Sequence, residues 1–249
     1  MKVRLDQLVA RSLAVSRAKA QALIIAGQVL VNEQKLRKPG AAVKEDCAVR
    51  LLGADCPYVS RGGLKMAGAL DVFGVSPQGL NCLDIGASTG GFTDCLLQRG
   101  AASVIALDTG HNQLDWKIRS DPRVIVLEKC NFRYMRKTEL RKLAGLDALS
   151  LQLAVIDVSF ISLEKILPPL YTVLESRAQA IALAKPQFEA ARGEVGKGGI
   201  VKDPAVHARV QEKVRGYAAA AGFITLGETA SPITGTDGNK EFFIYLEKP

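Results

Sequence analysis

Hydrophobic residues change their spacing near residue 80 of the chain. Beyond that point, short uninterrupted apolar runs alternate with segments in which apolar residues recur every three to four positions. Uninterrupted apolar runs are typical of strands in a parallel sheet whose two faces are covered by helices. The pattern predicts seven strands, at 81–85, 103–107, 123–127, 153–156, 179–183, 223–227 and 241–246, with helices near 92–99, 112–119, 136–144, 162–176 and 203–221.

The last two predicted strands have no helix between them. The residues that join them, SPITGTDGNK at 231–240, are rich in turn formers, so we expect the final strand to run antiparallel to its neighbour. Five strand–helix units followed by such a hairpin are typical of the Rossmann-like sheet of class I methyltransferases. The sequence therefore predicts an α/β domain over residues 58–249, with a mostly parallel seven-stranded sheet that binds its ligand at the carboxyl ends of the central strands.

A smaller, basic segment precedes this domain. Residues 1–60 carry ten Lys and Arg against five Asp and Glu, so they hold +5 of the total charge of +8 and leave +3 for the other 189 residues. The apolar pattern predicts a helix at 4–10, a second helix capped by Ser16, and strands at 29–31 and 48–52. This charge favours a polyanionic partner. It is equally compatible with a solvated basic face that binds nothing.

The residues of the basic segment also carry a specific resemblance. The stretches RLDQLV and SRAKAQALIIAGQVLVNEQKLRKPG resemble the S4 (α-L) RNA-binding domain, which would occupy residues 1–57. S4 domains favour structured RNA, and Lys and Arg neutralise its phosphates. The resemblance implies RNA contacts from basic side chains of this segment and from one at the start of the next domain, namely Arg4, Arg17, Lys19, Lys35 and Arg61.

The first strand of the large domain ends in a glycine-rich turn, LDIGASTGGF at 83–92. The turn lacks the G-x-G-x-x-G spacing of dinucleotide sites, and it resembles the D-x-G-x-x-x-G loop with which class I methyltransferases bind S-adenosylmethionine. A plain turn and an NAD-type site are the alternatives. The resemblance implies cofactor contacts from Asp84, Gly86, Ala87, Ser88, Thr89, Gly90, Gly91 and Phe92, with Asp108 at the ribose hydroxyls and Asn131 and Phe132 beside the adenine.

Four further residues decide the chemistry. Asp157 ends the fourth strand, Lys185 ends the fifth, Glu241 begins the last, and Lys65 lies on a helix that precedes the first. Strand ends of one sheet edge meet, so these side chains should converge beside the cofactor loop. Taken singly, each residue could also be a surface charge, a helix cap or an ordinary ion-pair partner.

Together these four residues resemble the Lys-Asp-Lys-Glu tetrad of FtsJ-type RNA ribose 2′-O-methyltransferases, in which Asp157 would also border the cofactor. With the S4 module and YVSRGGLK at 58–65, the whole chain resembles the TlyA family, often labelled haemolysin A. Members of that family methylate ribose 2′-hydroxyls of ribosomal RNA cytidines. The resemblance implies S-adenosylmethionine as cofactor and ribosomal RNA or ribosomal subunits as partner, with Lys185 as either a base or an electrostatic anchor.

Composition narrows the remaining possibilities. The five cysteines form no C-x-x-C pair and there are two histidines, so we expect no metal site and a reducing, cytoplasmic location. No apolar run approaches the ~18 residues that cross a bilayer, and no membrane partner is expected. A pore-forming haemolysin is therefore disfavoured. An RNA-binding assembly factor with a silent catalytic domain is the other alternative. Residues 186–202 suggest a mobile lid, with a passive surface loop as the alternative, and Trp116 is expected to pack on the second helix of the domain.

Overall fold

The computed structural model describes residues 2–32, 34–51, 56–148, 150–235 and 238–249. The chain divides into two compact units, Met1–Cys56 and Pro57–Pro249, which we call the N-terminal and the C-terminal unit. In the described part of the chain, no helix is both long and apolar enough to cross a membrane.

The N-terminal unit contains two helices and two small antiparallel sheets. Its elements in chain order are β1 (Lys2–Arg4), α1 (Leu5–Ser12), α2 (Arg17–Ile25), β2 (Val29–Val31), β3 (Gln34–Lys35), β4 (Ala42–Lys44) and β5 (Val49–Leu51). Strand β1 pairs with β4, and β2 lies between β3 and β5. Leu5, Val9, Ala20 and Ile24 of the helices form a common core with Val29 and Val31. Ser16 accepts a hydrogen bond from the Lys19 amide, which confirms the predicted cap of α2.

The C-terminal unit is built around one seven-stranded sheet. Its elements are α3 (Gly62–Phe73), β6 (Asn81–Ile85), α4 (Gly91–Gln98), β7 (Ser103–Leu107), α5 (Trp116–Arg119), β8 (Val124–Leu127), α6 (Lys137–Leu143), β9 (Leu153–Ile156), α7 (Leu167–Val173), β10 (Gln179–Ala184), α8 (Pro186–Glu189), α9 (Pro204–Ala221), β11 (Ile224–Ala230) and β12 (Phe242–Glu247). The strand order is β11-β12-β10-β9-β6-β7-β8. Strand β12 is antiparallel to both neighbours, as predicted, while β10, β9, β6, β7 and β8 are mutually parallel.

Two hydrophobic layers enclose this sheet, because successive side chains of a strand point to opposite faces. Leu83 and Ile85 of β6 belong to one layer and Cys82 to the other. Helices α6, α7 and α9 contribute buried residues to the first layer, and α3, α4 and α5 to the second. Burial on both faces explains why these strands read as uninterrupted apolar runs.

Two predicted helices are shorter in the structure. The helix expected at 112–119 is only Trp116–Arg119, because the Asp115 side chain caps it by accepting from the Lys117 amide. The expectation that Trp116 packs is wrong: its side chain is 75% exposed, and Leu114 and Ile118 fill the core instead.

The helix expected at 162–176 is divided in a similar way. It becomes a 3₁₀ turn at Leu163–Lys165 followed by α7. Pro168 and Pro169 fall in the first turn of α7 and have no amide hydrogen to donate to the preceding turn. An uninterrupted α-helix across this region is therefore excluded.

Candidate active site

The carboxyl ends of β9 and β10 and the start of β12 lie at one edge of the sheet. Ala184 is paired with Phe242 in the antiparallel ladder, so Lys185 and Glu241 are the next residues outward on neighbouring strands. Asp157 directly follows β9, and its amide donates to the carbonyl of Ile85 on β6 at 2.9 Å. Strand register therefore places three of the four predicted residues at the edge where β6 ends.

The four charged residues form two ion pairs. Lys65 Nζ of α3 lies 2.5 Å from Glu241 Oε2, and both side chains are buried. Lys185 Nζ lies 2.6 Å from Asp157 Oδ1, with the two side chains 12% and 22% exposed. Isolated charges are costly to bury, and pairing each lysine with a carboxylate offsets that cost. The second pair keeps more contact with solvent than the first and is the one open to a substrate.

Lys185 has a second partner that sequence reasoning did not identify. Its Nζ donates to Ser159 Oγ at 2.9 Å. A charged lysine amine has three donors. Ser159 accepts one of them, while the contact with Asp157 is an ion pair and not a hydrogen bond, because Asp157 Oδ1 has no hydrogen-bond partner within the described residues. The pattern V-S-F immediately after Asp157 was the available signal, because residues that follow a parallel strand line the same edge.

Two aromatic rings, of Phe160 and Phe188, pack against each other near this lysine. Phe160 is 91% exposed and adopts a left-handed backbone conformation with φ +63°. Its ring centroid is 5.2 Å from that of Phe188, and Lys185 Nζ is 6.0 Å from the Phe188 centroid. A bulky residue at positive φ is strained. The exposed Phe160 ring packs on Phe188, whose own ring is the one near the Lys185 amine. This surface was also absent from the sequence prediction.

The glycine-rich turn requires glycine for steric reasons. Gly86 has φ +87°, and a Cβ there would lie 2.4 Å from the carbonyl oxygen of Asp157. A Cβ on Gly91 would lie 2.2 Å from Ser60 Oγ. Between them, Ser88 and Thr89 are exposed. The glycine backbone of the turn therefore packs closely against the strand end that carries Asp157. The tip of the turn, at Ser88 and Thr89, stays accessible to a ligand.

Asp108 is anchored by the backbone on both of its oxygens. Oδ2 accepts from the Ser88 amide at 2.8 Å, and Oδ1 accepts from the Gly110 amide at 2.7 Å. Each carboxylate oxygen can accept about two hydrogen bonds. The carboxylate is thus held in a fixed orientation next to the glycine-rich turn and retains capacity for the two hydroxyls of a ribose.

Asp84 is completely buried at the end of β6. Its Oδ2 accepts from Thr93 Oγ1 at 2.6 Å, while Oδ1 has no hydrogen-bond partner within the part of the chain that the structure describes. The pKa of this carboxyl is raised to about 7, chiefly by burial, with the charges of Asp157 and Asp108 acting in the same direction and the Thr93 hydrogen bonds opposing them. A buried acceptor with no partner suits a cationic donor such as the amino group of S-adenosylmethionine.

The remaining predicted cofactor residues are less accessible. The rings of Phe92 and Phe132 lie in the two core layers, and Ala87 is also buried. Cofactor contacts of Phe92 and Phe132 would therefore come from their backbone, and they stay a prediction. Asn131 caps the turn that holds Phe132, because its Oδ1 accepts from the Arg133 amide at 3.0 Å. The Phe92 and Phe132 side chains brace the loops. Asn131 is exposed, so the second lone pair of its oxygen and its amide NH2 remain for an adenine.

The segment expected to form a lid is attached at both ends. Glu189 is buried, and it accepts from Ser162 Oγ at 2.6 Å and from the Leu163 amide at 2.8 Å. Asn239 accepts from the Val201 amide at 2.9 Å and donates to the Gly199 carbonyl at the same distance. The stretch between Glu189 and Gly199 contains two 3₁₀ turns. A closing movement of this stretch stays a prediction.

The five residues predicted to bind RNA differ in their surroundings. Lys19 and Lys35 are exposed. Arg61, at the start of α3, is exposed and donates to the Thr234 carbonyl at 3.0 Å. Arg4 and Arg17 both form ion pairs with Asp6 of α1. Two of the five are therefore held by a carboxylate of their own unit, which the sequence analysis did not foresee.

Comparison with known protein families matches both units. Residues 58–248 match the FtsJ-like methyltransferase model, and residues 3–46 match the S4 domain. The 16S/23S rRNA (cytidine-2′-O)-methyltransferase TlyA of Mycobacterium tuberculosis is 43% identical over 247 residues, which cover 98% of this chain and 90% of the relative. Hemolysin A of Brachyspira hyodysenteriae is 41% identical over 245 residues, covering 98% and 99%.

A solved structure agrees with these sequence relationships. The protein from Streptococcus thermophilus is 44% identical, with a TM-score of 0.77 and coverage of 99% of this chain and 88% of that one. Solved S-adenosylmethionine-dependent methyltransferases at 14% identity or less, such as one from Listeria monocytogenes with a TM-score of 0.54, share the fold of the C-terminal unit. The chain belongs to the TlyA family, in which an S4 domain precedes an FtsJ-like methyltransferase domain.

Proposed function

We propose that this methyltransferase transfers the methyl group of S-adenosylmethionine to the ribose 2′-hydroxyl of a cytidine in ribosomal RNA. The observation that carries the proposal is the partly exposed Lys185–Asp157 ion pair, which lies at the sheet edge where the glycine-rich turn begins. The buried Lys65–Glu241 pair adjoins it through the β10–β12 register. The names of the Mycobacterium and Campylobacter relatives, at 43% and 32% identity, support the nucleotide and the RNA.

The cofactor fits the residues around the turn. When bound, S-adenosylmethionine supplies a methyl group on a positively charged sulfur. Asp108 would hold its ribose hydroxyls, the exposed backbone of Ser88 and Thr89 would border it, and the unpaired Oδ1 of Asp84 would receive its amino group.

Lys185 would act on the hydroxyl that attacks. Asp157 pairs with its amine and Ser159 accepts one hydrogen bond from it, and both partners restrict how the amine can meet a ligand. With the cofactor bound, the oxygen–methyl bond would form as the sulfur–methyl bond breaks. A neutral Lys185 amine would take the hydroxyl proton; a charged one would donate to the hydroxyl oxygen, and the proton would pass to water. Alignment alone can provide roughly 7–11 kcal/mol of the barrier reduction. The exposed Phe160 face offers a surface on which a base can stack.

Residues 1–57 would serve as the RNA-binding module and residues 58–249 as the catalytic domain. A ribosomal RNA substrate would locate the protein in the cytoplasm. The direct test uses labelled cofactor with isolated ribosomal RNA and with ribosomal subunits, followed by mass-spectrometric mapping of the modified nucleotide. Methylation of a cytidine ribose is expected. RNA binding without methyl transfer would instead favour the assembly-factor alternative.

Removing the Asp108 carboxylate should weaken cofactor binding specifically. Asp108→Ala is expected to lose about 1–3 kcal/mol of S-adenosylmethionine affinity, the usual cost of losing a charged hydrogen-bond partner. The dissociation constant is measured by calorimetry. Asp121→Ala is the matched control. Asp121 also accepts a hydrogen bond from a backbone amide, but it precedes β8 and so lies at the amino-terminal end of the parallel strands, away from the site. An unchanged constant for Asp108→Ala would remove this residue from the cofactor site.

Loss of basic charge from the N-terminal unit should weaken RNA binding and its salt dependence. In the full chain, Lys19→Gln with Lys35→Gln should lower the salt slope of RNA affinity by about 1.4–1.8, because each phosphate contact contributes about 0.7–0.9. Cofactor affinity should not change. The double variant Lys137→Gln with Lys165→Gln removes the same charge from the C-terminal unit. Equal slopes for the two double variants would contradict an RNA-binding role for the module.

A further inference from the structure

One fully buried carboxylate organises the basic surface of the N-terminal unit. Asp6, in the first turn of α1, has no exposed surface and accepts four hydrogen bonds from three side chains. Arg4 donates through Nε at 3.0 Å to Oδ1 and through Nη2 at 2.9 Å to Oδ2. Arg17 Nε donates at 3.1 Å and Gln21 Nε2 at 2.8 Å, both to Oδ2.

The two arginines remain half accessible despite these bonds. The Arg4 side chain is 50% exposed and the Arg17 side chain is 51% exposed. A guanidinium has five N–H donors, and Asp6 takes two from Arg4 and one from Arg17. Within the described residues, Asp6 therefore leaves seven donors of this pair, on two cations that share one buried anion.

The same carboxylate connects the two helices of the unit. Gln21 lies one helical turn after Arg17 on α2 and satisfies Asp6 from the same side, so the carboxylate connects the starts of both helices. The negative charge also screens two neighbouring guanidinium groups that would otherwise repel each other. Side chains as long as arginine lose much rotamer freedom when they bind phosphate, and prior fixation reduces that loss.

We infer that Asp6 is a positioning residue which fixes Arg4 and Arg17 as a two-arginine clamp for phosphate groups of an RNA backbone. The inference deepens the proposed function and rests on it. Asp6 itself does not contact RNA. It holds the guanidinium planes so that their remaining donors can engage phosphate oxygens in pairs. The clamp carries a net charge of +1, with two arginines and one aspartate.

The direction in which one substitution changes RNA affinity tests this inference. Asp6→Asn removes a negative charge, and counterion release alone predicts tighter RNA binding. The clamp predicts the opposite: binding of a 23S ribosomal RNA transcript about tenfold weaker, with a salt slope lower by about one or more. Glu45→Gln is the matched control, because Glu45 pairs with Arg11 at 3.0 Å in the same unit. The control should bind RNA as tightly as the wild type or more tightly.

A second pair of variants decides the matter if Asp6→Asn disrupts folding. Arg4→Lys keeps the charge but cannot reproduce the two-pronged contact with Asp6, so RNA affinity should fall severalfold. Arg11→Lys makes the same change at the exposed Arg11–Glu45 pair and should have no effect. Circular dichroism and amide exchange verify that each variant is folded. Adding Asp6→Asn to Arg4→Lys with Arg17→Lys should cause little further loss, because a positioning residue acts through its partners.

Failure of the inference can be told apart from failure of the proposed function. If Arg4→Ala and Arg17→Ala both leave RNA affinity unchanged, the module does not bind RNA through this surface and the proposed role of the S4 domain fails. If those variants weaken binding while folded Asp6→Asn binds as tightly as the wild type, only the inference about Asp6 is overturned. Unchanged affinity of Arg4→Lys overturns it as well.

Discussion

Replacing Lys185 with alanine is expected to slow single-turnover methyl transfer by about 10²–10⁴-fold, the range typical of a positioned proton-transfer group. The affinities for S-adenosylmethionine and RNA should each stay within about threefold, because the lost contact acts mainly in the transition state. Asp157 and Ser159 surround the amine and would lose their shared partner. The methyl-transfer rate and the two affinities are measured separately, so that a defect in binding or folding is distinguished from a defect in the chemical step.

The arginine variant separates the two roles open to Lys185. Lys185→Arg keeps a positive charge beside Asp157, but arginine does not release a proton at ordinary pH. If Lys185 accepts the hydroxyl proton, this variant should be nearly as slow as the alanine variant. Turnover close to that of the wild type would instead identify Lys185 as an electrostatic anchor.

The control removes an ion-paired lysine from the surface of the same unit. Lys137 lies 2.8 Å from Glu175, with both side chains about two-fifths exposed, and Lys137→Ala should leave methyl transfer unchanged. A fast Lys185→Ala enzyme would refute the tetrad assignment as a whole. An equally slow Lys137→Ala enzyme would show that the loss comes from stability and not from chemistry.

The sheet could be predicted from sequence because it is buried on both faces. The strands expected at 81–85, 103–107 and 153–156 coincide with β6, β7 and β9. The direction of β12 followed from the absence of a helix before it. The short strands β1, β3 and β4 were missed, because most of their residues are exposed. Strand β2 is as short as β1 and β4, but its three residues are apolar and buried, and it was predicted.

Strand ends located the candidate site but could not define its interactions. Parallel topology is enough to bring Asp157 and Lys185 together, and the antiparallel last strand adds Glu241. The pairing of Lys65 with Glu241 depends on the packing of α3, which no local pattern encodes. For the same reason the sequence could not show that the Phe92 and Phe132 rings are buried or that Asp6 collects two arginines.

Removing the buried charge of Asp84 should change the pH dependence of stability. The carboxyl has a pKa of about 7 in the folded chain, against an ordinary value of 3.8, chiefly because burial disfavours its charged form. Between these values the folded state holds a proton that the unfolded state has released. The stability that this proton contributes is complete below about pH 4 and is lost as the pH rises to about 7. The wild type should therefore weaken across that interval.

The Asp84→Asn side chain cannot ionise. The free energy of unfolding of this variant should therefore rise relative to that of the wild type as the pH increases from 4 to 8. Three pH units at 1.36 kcal/mol each set an upper bound of about 4 kcal/mol for this gain. Amide exchange in β6 measures the difference, because intrinsic exchange rates cancel when the two proteins are compared at one pH. Asp71→Asn is the control of opposite sign, since Arg99 holds the pKa of Asp71 below its ordinary value. The free energy of unfolding of Asp71→Asn should be lower than that of the wild type near neutral pH, and the two values should converge only as the pH falls towards and below 4. A pH-independent difference for Asp84→Asn would mean that the carboxyl stays ionised in the folded chain, paired with a cation or water.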